Sequence, residues 1–177
     1  MRQNDLRDTI ATLLDEVCND VTTEPCLQHL SGETLRPLSA NTLDGARIVI
    51  WARGFWDVMQ DAFFDLWVVL PPAPAYQKKT LPVIYRQHEL QKRREYGDRV
   101  REVEHGAFTP LVVTTGGGAA SEATVFLKRL AGMLADKAWT GLFGYYGLVE
   151  MCNRILLTAI LFDVHPSKSS YERSKCY

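Results

Sequence analysis

Residues 46–69 read ARIVIWARGFWDVMQDAFFDLWVV. Two β-branched and aromatic runs stand on either side of a turn-prone 54–61: residues 47–52, with Ile48, Val49, Ile50 and Trp51, and residues 62–69, with Phe63, Phe64, Leu66, Trp67, Val68 and Val69. Such runs predict neighbouring strands, and their near-continuous apolarity predicts burial on both faces. One carboxylate, Asp65, interrupts the second run. A charge in so apolar a setting is costly without a partner. Asp65 is therefore expected on a divalent cation, beside an arginine, or on the solvent side of an edge strand.

Upstream, Leu6, Ile10, Leu13, Leu14 and Val17 recur every three or four residues, which predicts a helix over 5–18 with one apolar stripe. Glu16 borders that stripe, where it either reaches over the packed edge or is a solvated helix charge. Residues 21–27 read as a short strand ended near Pro25, and 31–45 as a loop. Downstream, Pro71, Pro72 and Pro74 stop the second strand of the pair. A helix follows over 84–103. At about 100° per residue from Tyr85, Lys92 falls near 340°, Tyr96 near 20° and Val103 near 0°. Lys92 thus shares the inward aromatic face, unless its stem snorkels along the helix. The run PLVVTT within 102–115 predicts another strand, Gly116, Gly117 and Gly118 a turn, and Ser121 the cap of a further helix. A last apolar helix is expected over 148–162, followed by a polar tail.

The order is helix, three strands, crossover helix, strand and two helices. It specifies an α/β fold with a mixed sheet flanked by helices. A length of 177 residues fits one domain, and 46% hydrophobic with 23% charged residues is ordinary for a globular chain. Net charge is −1, so the whole chain offers no polyanion field. The segment 78–101 is locally basic, with Lys78, Lys79, Arg86, Lys92, Arg93, Arg94, Arg99 and Arg101. Cys18, Cys26, Cys152 and Cys176 lack C-x-x-C spacing, which excludes a zinc cluster and suits a reducing compartment. No secretory signal is visible, and Glu150, Asn153 and Arg154 interrupt the longest apolar stretch, so no membrane partner is expected.

The histidines His29, His88, His105 and His165 have no metal-ligand spacing, and Gly-x-Ser-x-Gly is absent. The triple glycine lacks the lysine and Ser/Thr of a P-loop, so no small-molecule cofactor is implied. Metal-dependent phosphodiester cleavage needs carboxylates converging on a cation, with a lysine close by. Topology allows Glu16, Asp65 and Lys92, from three elements, to meet at one edge of the sheet.

Five blocks carry a family resemblance: RQNDLRDTIATLLDEVCNDVTTEP, ARIVIWARGFW, AFFDLWV, YRQHELQKRREYGDRVREVEHGAFTPLVV and ATVFLKRLA. Together, over about residues 2–137, the chain resembles the C-terminal region of reverse-transcriptase polyproteins from invertebrate non-LTR retroelements. That region looks like a restriction-like endonuclease of the PD-(D/E)xK superfamily, whose αβββαβ core agrees with the order above. The resemblance implies a domain over 1–137, and the residues beyond it read as an apolar helix in 138–163 and a polar tail over 164–177. It implies Mg²⁺ held by Asp65, with Glu16 the further ligand that topology offers, Lys92 and Tyr96 as the catalytic lysine and its companion, and DNA and parent polyprotein modules as partners. Arg86, Arg93, Arg94 and Arg99 would contact DNA, in a nuclear or cytoplasmic setting. The sequence departs from the family in one decisive place: Val49 stands where Ala-Arg-x-Asp-Ile has its second metal-binding aspartate. Trp67 likewise replaces the family's Arg or Lys. The expectation is an impaired endonuclease-like domain; the alternative is a non-catalytic DNA-binding or relic domain built on the basic helix 84–103.

Overall fold

The computed structural model describes residues 3–25, 27, 48–71, 73–76 and 78–140. The expected loop 31–45, helix 148–162 and tail after 164 lie outside these. The described chain runs α1 (Gln3–Asp15), β1 (Asp20–Thr23), β2 (Ile50–Arg53), β3 (Asp61–Val69), a 3₁₀ turn (Pro74–Tyr76), α2 (Leu81–Lys92), a π-helical turn (Arg93–Gly97), α3 (Asp98–Glu102), β4 (Ala107–Thr114) and α4 (Ser121–Thr140). The sheet has order β1-β2-β3-β4. Its first two pairings are antiparallel, and β3–β4 is parallel through the α2–α3 crossover. This is the expected α/β fold with a mixed sheet. The first strand is shorter than its apolar run, and α4 continues past the 137 boundary expected for the domain.

β3 explains the layering. Its inner residues are buried continuously, and side chains alternate between the faces of a strand. Ala62, Phe64 and Leu66 join Ile50, Ala52, Leu111, Phe126 and Leu130 in the larger cluster, under Ile10 and Leu14 of α1. Phe63 packs oppositely with Val100, Phe108 and Tyr96, while Val69 packs with Ile84 and Val112. One face thus carries α1 and α4, and the other carries the crossover. The rings of Phe55, Phe64 and Phe126 form the centre of the larger cluster, with centroids 4.8–5.2 Å apart.

The β2–β3 hairpin is held at its tip. Gly54, at φ +91°, donates its N–H to Gln60 O at 3.0 Å. A residue with a side chain rarely takes that left-handed conformation, so glycine suits the turn. Arg129 of α4 donates through Nε to Phe55 O (2.5 Å) and through its terminal nitrogen to Trp56 O (2.9 Å). α4 itself starts on a borrowed cap: the Glu89 carboxylate accepts from Glu122 N at 3.0 Å and Ser121 Oγ at 3.3 Å. An anion there also complements the positive end of the helix.

The crossover carries an unusual period. Ile84, His88, Lys92 and Val100 are buried and Tyr96 is half-buried, each placed at multiples of four from the first. In an α-helix of about 3.6 residues per turn, each such step drifts by about 40°. The π-helical turn, closing i→i+5, takes up more residues per turn and brings the drifting face back to the sheet.

Candidate functional site

The site grows from alternation in β3 and periodicity in the crossover. Asp65 and Trp67 lie in step with Phe63 and Val69 and so face the crossover. Lys92 ends α2 directly above them, and Glu95 and Tyr96 follow in the π-helical turn. Lys92 Nζ is 2.9 Å from Asp65 Oδ2 and 3.4 Å from Glu95 Oε2. It also lies 4.7 Å from the Trp67 ring centroid and 5.3 Å from that of Tyr96, within cation–π range. Asp65 and Lys92 are only 4% and 8% exposed, whereas the Glu95 side chain retains 26%.

Burial raises the Asp65 pKa despite the opposing attraction of Lys92, and the Glu95 charge pushes the same way as burial. At 2.9 Å Asp65 and Lys92 form a close buried ion pair. Burial also raises the Tyr96 phenol well above its ordinary range, followed by the charges of Glu95 and Asp65. The phenol therefore stays protonated at neutral pH.

A second aromatic unit adjoins the first. His88 stacks on Trp67 at 5.4 Å, and its Nε2 lies 2.9 Å from the Tyr76 hydroxyl. Burial lowers the His88 pKa, and Lys79 and Lys92 lower it further. For a base depressed on folding, stability is full above the ordinary value of 6.5 and falls as pH drops from there through the folded value. Asp65 has the opposite sign, its contribution being present below the unfolded value and lost as pH rises through the folded one. Melting temperature should therefore fall between pH 7 and 5.5, and His88→Gln should flatten that slope. An unchanged slope in the variant would show that His88 is not its source.

The structure brings Asp65, Lys92 and Tyr96 together and leaves Glu16 out, a correction to the expected convergence. Glu16 is exposed just beyond the end of α1, and its carbonyl accepts from Lys137 of α4. At the other end of α1, Gln3 bonds Leu66 O. Thirteen helical residues span about 20 Å, so Glu16 lies far from that part of β3, on the opposite face of the sheet. A second correction concerns the basic residues. Arg99 is buried at 9% exposure, which removes it from any DNA-facing surface. Arg93 grips Glu122 with two nitrogens at 2.8 and 2.5 Å. Arg86 and Arg94 are exposed, and Arg94 lines an open groove with Gln87, Gln91 and Glu95.

Sequence reasoning missed Glu95, Trp67, His88 and Tyr76. Trp67 is two residues from Asp65 on one strand, and His88 four before Lys92 on one helix, so plain periodicity identifies both. Glu95 is three residues after Lys92, a spacing that brings two helical side chains together. Cys18 offers no nucleophile, because burial pushes its thiol up to about 11.

The implied Mg²⁺ does not fit this arrangement. Mg²⁺ demands near-octahedral oxygen ligands at about 2.0–2.1 Å and keeps several waters. Here an ammonium already stands between the two available carboxylates, and two rings wall the space. Among the described residues no group of three or more His, Cys, Asp or Glu side chains converges to hold a metal. Nor, among them, is any helix long and apolar enough to cross a membrane. No protein-family model matches the chain, and no curated protein is found to be similar to it.

Proposed function

We propose that the chain is a restriction-endonuclease-like domain of retroelement ancestry, with DNA as its ancestral substrate and an impaired cleavage centre. The observation that carries this reading is the buried Asp65–Lys92 pair, formed between a central strand and the crossover helix of a mixed sheet. The sequence departure stands beside it. Val49 directly precedes β2 and packs partly against the cluster under α1 and α4, on the other face of the sheet from Asp65. Valine ligates no cation, and losing one of two carboxylates weakens metal binding severely. A nuclear or cytoplasmic setting belongs to the same reading, supported by cysteines without disulfide or zinc spacing.

A plasmid-nicking assay with Mg²⁺ or Mn²⁺ tests it. The expected result is little or no cleavage by the wild type and a metal-dependent increase in Val49→Asp. If neither protein nicks, the catalytic half of the reading is lost. DNA binding that survives EDTA without cleavage would instead favour a non-catalytic module, for which Arg86 and Arg94 are the exposed phosphate contacts.

A further inference from the structure

We propose that the pocket between β3 and the π-helical turn is a cage for a primary alkylammonium, filled by the chain's own Lys92, and that it selects an ammonium over a divalent metal ion. Four groups converge on one nitrogen: carboxylate oxygens of Asp65 at 2.9 Å and Glu95 at 3.4 Å, and rings of Trp67 at 4.7 Å and Tyr96 at 5.3 Å. Aromatic faces attract a monovalent organic cation through the ring quadrupole and replace its hydration with contact area. They offer nothing to a hard divalent ion, which needs oxygens on every side. Asp65 Oδ2, buried and 2.9 Å from Nζ, relies on the charge of the cation that sits there. A buried carboxylate on one side, a half-exposed one on the other and two rings between them are the chemistry of ammonium recognition. Lys92 supplies that ammonium on a tethered stem, so no free ligand competes with it.

The cage does not rest on the endonuclease reading, because it follows from the contacts around Nζ alone. Removing the stem exposes its selectivity. Lys92→Ala in the full chain deletes the atoms that n-propylammonium restores, and 1-propanol is the neutral control. At ionic strength matched with NaCl, propylammonium should raise the variant's melting temperature by about 2–4 °C, the shift that mass action gives for a ligand bound only by the folded state. Propanol, Mg²⁺ and Mn²⁺ should not. Equal or greater stabilisation by Mg²⁺ or Mn²⁺ overturns the proposal, as does no response to propylammonium. If the variant does not fold alone, the same additives are present during refolding: recovery with propylammonium supports the cage, and recovery with a metal or with none of them overturns it. In the wild type, the Lys92 ε-methylene proton resonances should be shifted upfield by the two rings and should not broaden on adding equimolar Mn²⁺. Selective broadening would place the metal in the cage and refute it. Loss of the propylammonium response sinks the cage and leaves the nicking result untouched.

Discussion

Lys92→Met is expected to lower the folding free energy by about 3–5 kcal/mol at pH 7, the loss found when one partner of a buried ion pair is removed. Methionine keeps an unbranched stem one atom shorter, so most of the packing of the stem is retained. What changes is charge. Asp65 remains 4% exposed with no cation beside it, and burial already raises its pKa with Lys92 in place. The variant carboxyl should take up a proton more readily still. Its deficit relative to wild type should therefore shrink as pH falls from 7 to 5, the sign expected of a carboxylate whose folded pKa is raised. A second variant separates charge from shape. Asp65→Leu with Lys92→Met removes both ions, and such apolar replacements are often neutral or stabilising. Urea unfolding of the two single variants and the double variant gives the coupling directly. A loss under about 1 kcal/mol in Lys92→Met would mean the pair behaves like a solvated surface ion pair.

Phe64→Ala should cost a similar amount, about 3–5 kcal/mol, through cavity formation. Phe64 is fully buried and meets Phe55 at 5.2 Å and Phe126 at 4.8 Å in edge contacts, so its removal deletes two of the three contacts among these rings. Edge-to-face pairs add about 0.5–1.5 kcal/mol each beyond the area they bury. The three rings come from the hairpin tip, β3 and α4, so no single element can collapse into the void. The urea midpoint should drop while the slope with denaturant stays unchanged. A loss below about 2 kcal/mol would mean that α4 can move to close the cavity.

Both effects arise from β3, and β3 was the most legible element in the sequence. Its apolar run is longer and more continuous than any other in the described chain, and only a strand covered on both faces uses such a run. The stripe of α1 was equally readable, because Leu6, Ile10, Leu13 and Leu14 all reach one cluster. Lys92 and Tyr96 were correctly turned inward by a regular wheel. The π-helical turn that carries Glu95 and Tyr96 was not read. A strict four-residue repeat of Ile84, His88, Lys92, Tyr96 and Val100 was the available signal, since an α-helix cannot hold such a row on one face. Glu16 was misplaced for another reason. Helical periodicity gives the face a residue occupies, but not where along the sheet the helix end comes to rest. Arg99 was read as a solvent charge from composition alone, although it directly precedes the buried Val100.

Strand β4, at the margin of the sheet, leaves little for a foreign strand to join. Its outward-directed backbone groups fall on every second residue, and two of these are used locally: Thr114 N donates to Gly118 O at 2.8 Å, and Val112 O accepts from Ala120 N at 2.9 Å. By the same alternation Pro110 also turns its nitrogen outward, where it has no hydrogen to give. At the opposite margin β1 offers only four residues. Among the described residues, one sheet edge is self-covered and the other short, which makes a poor template for edge-to-edge aggregation.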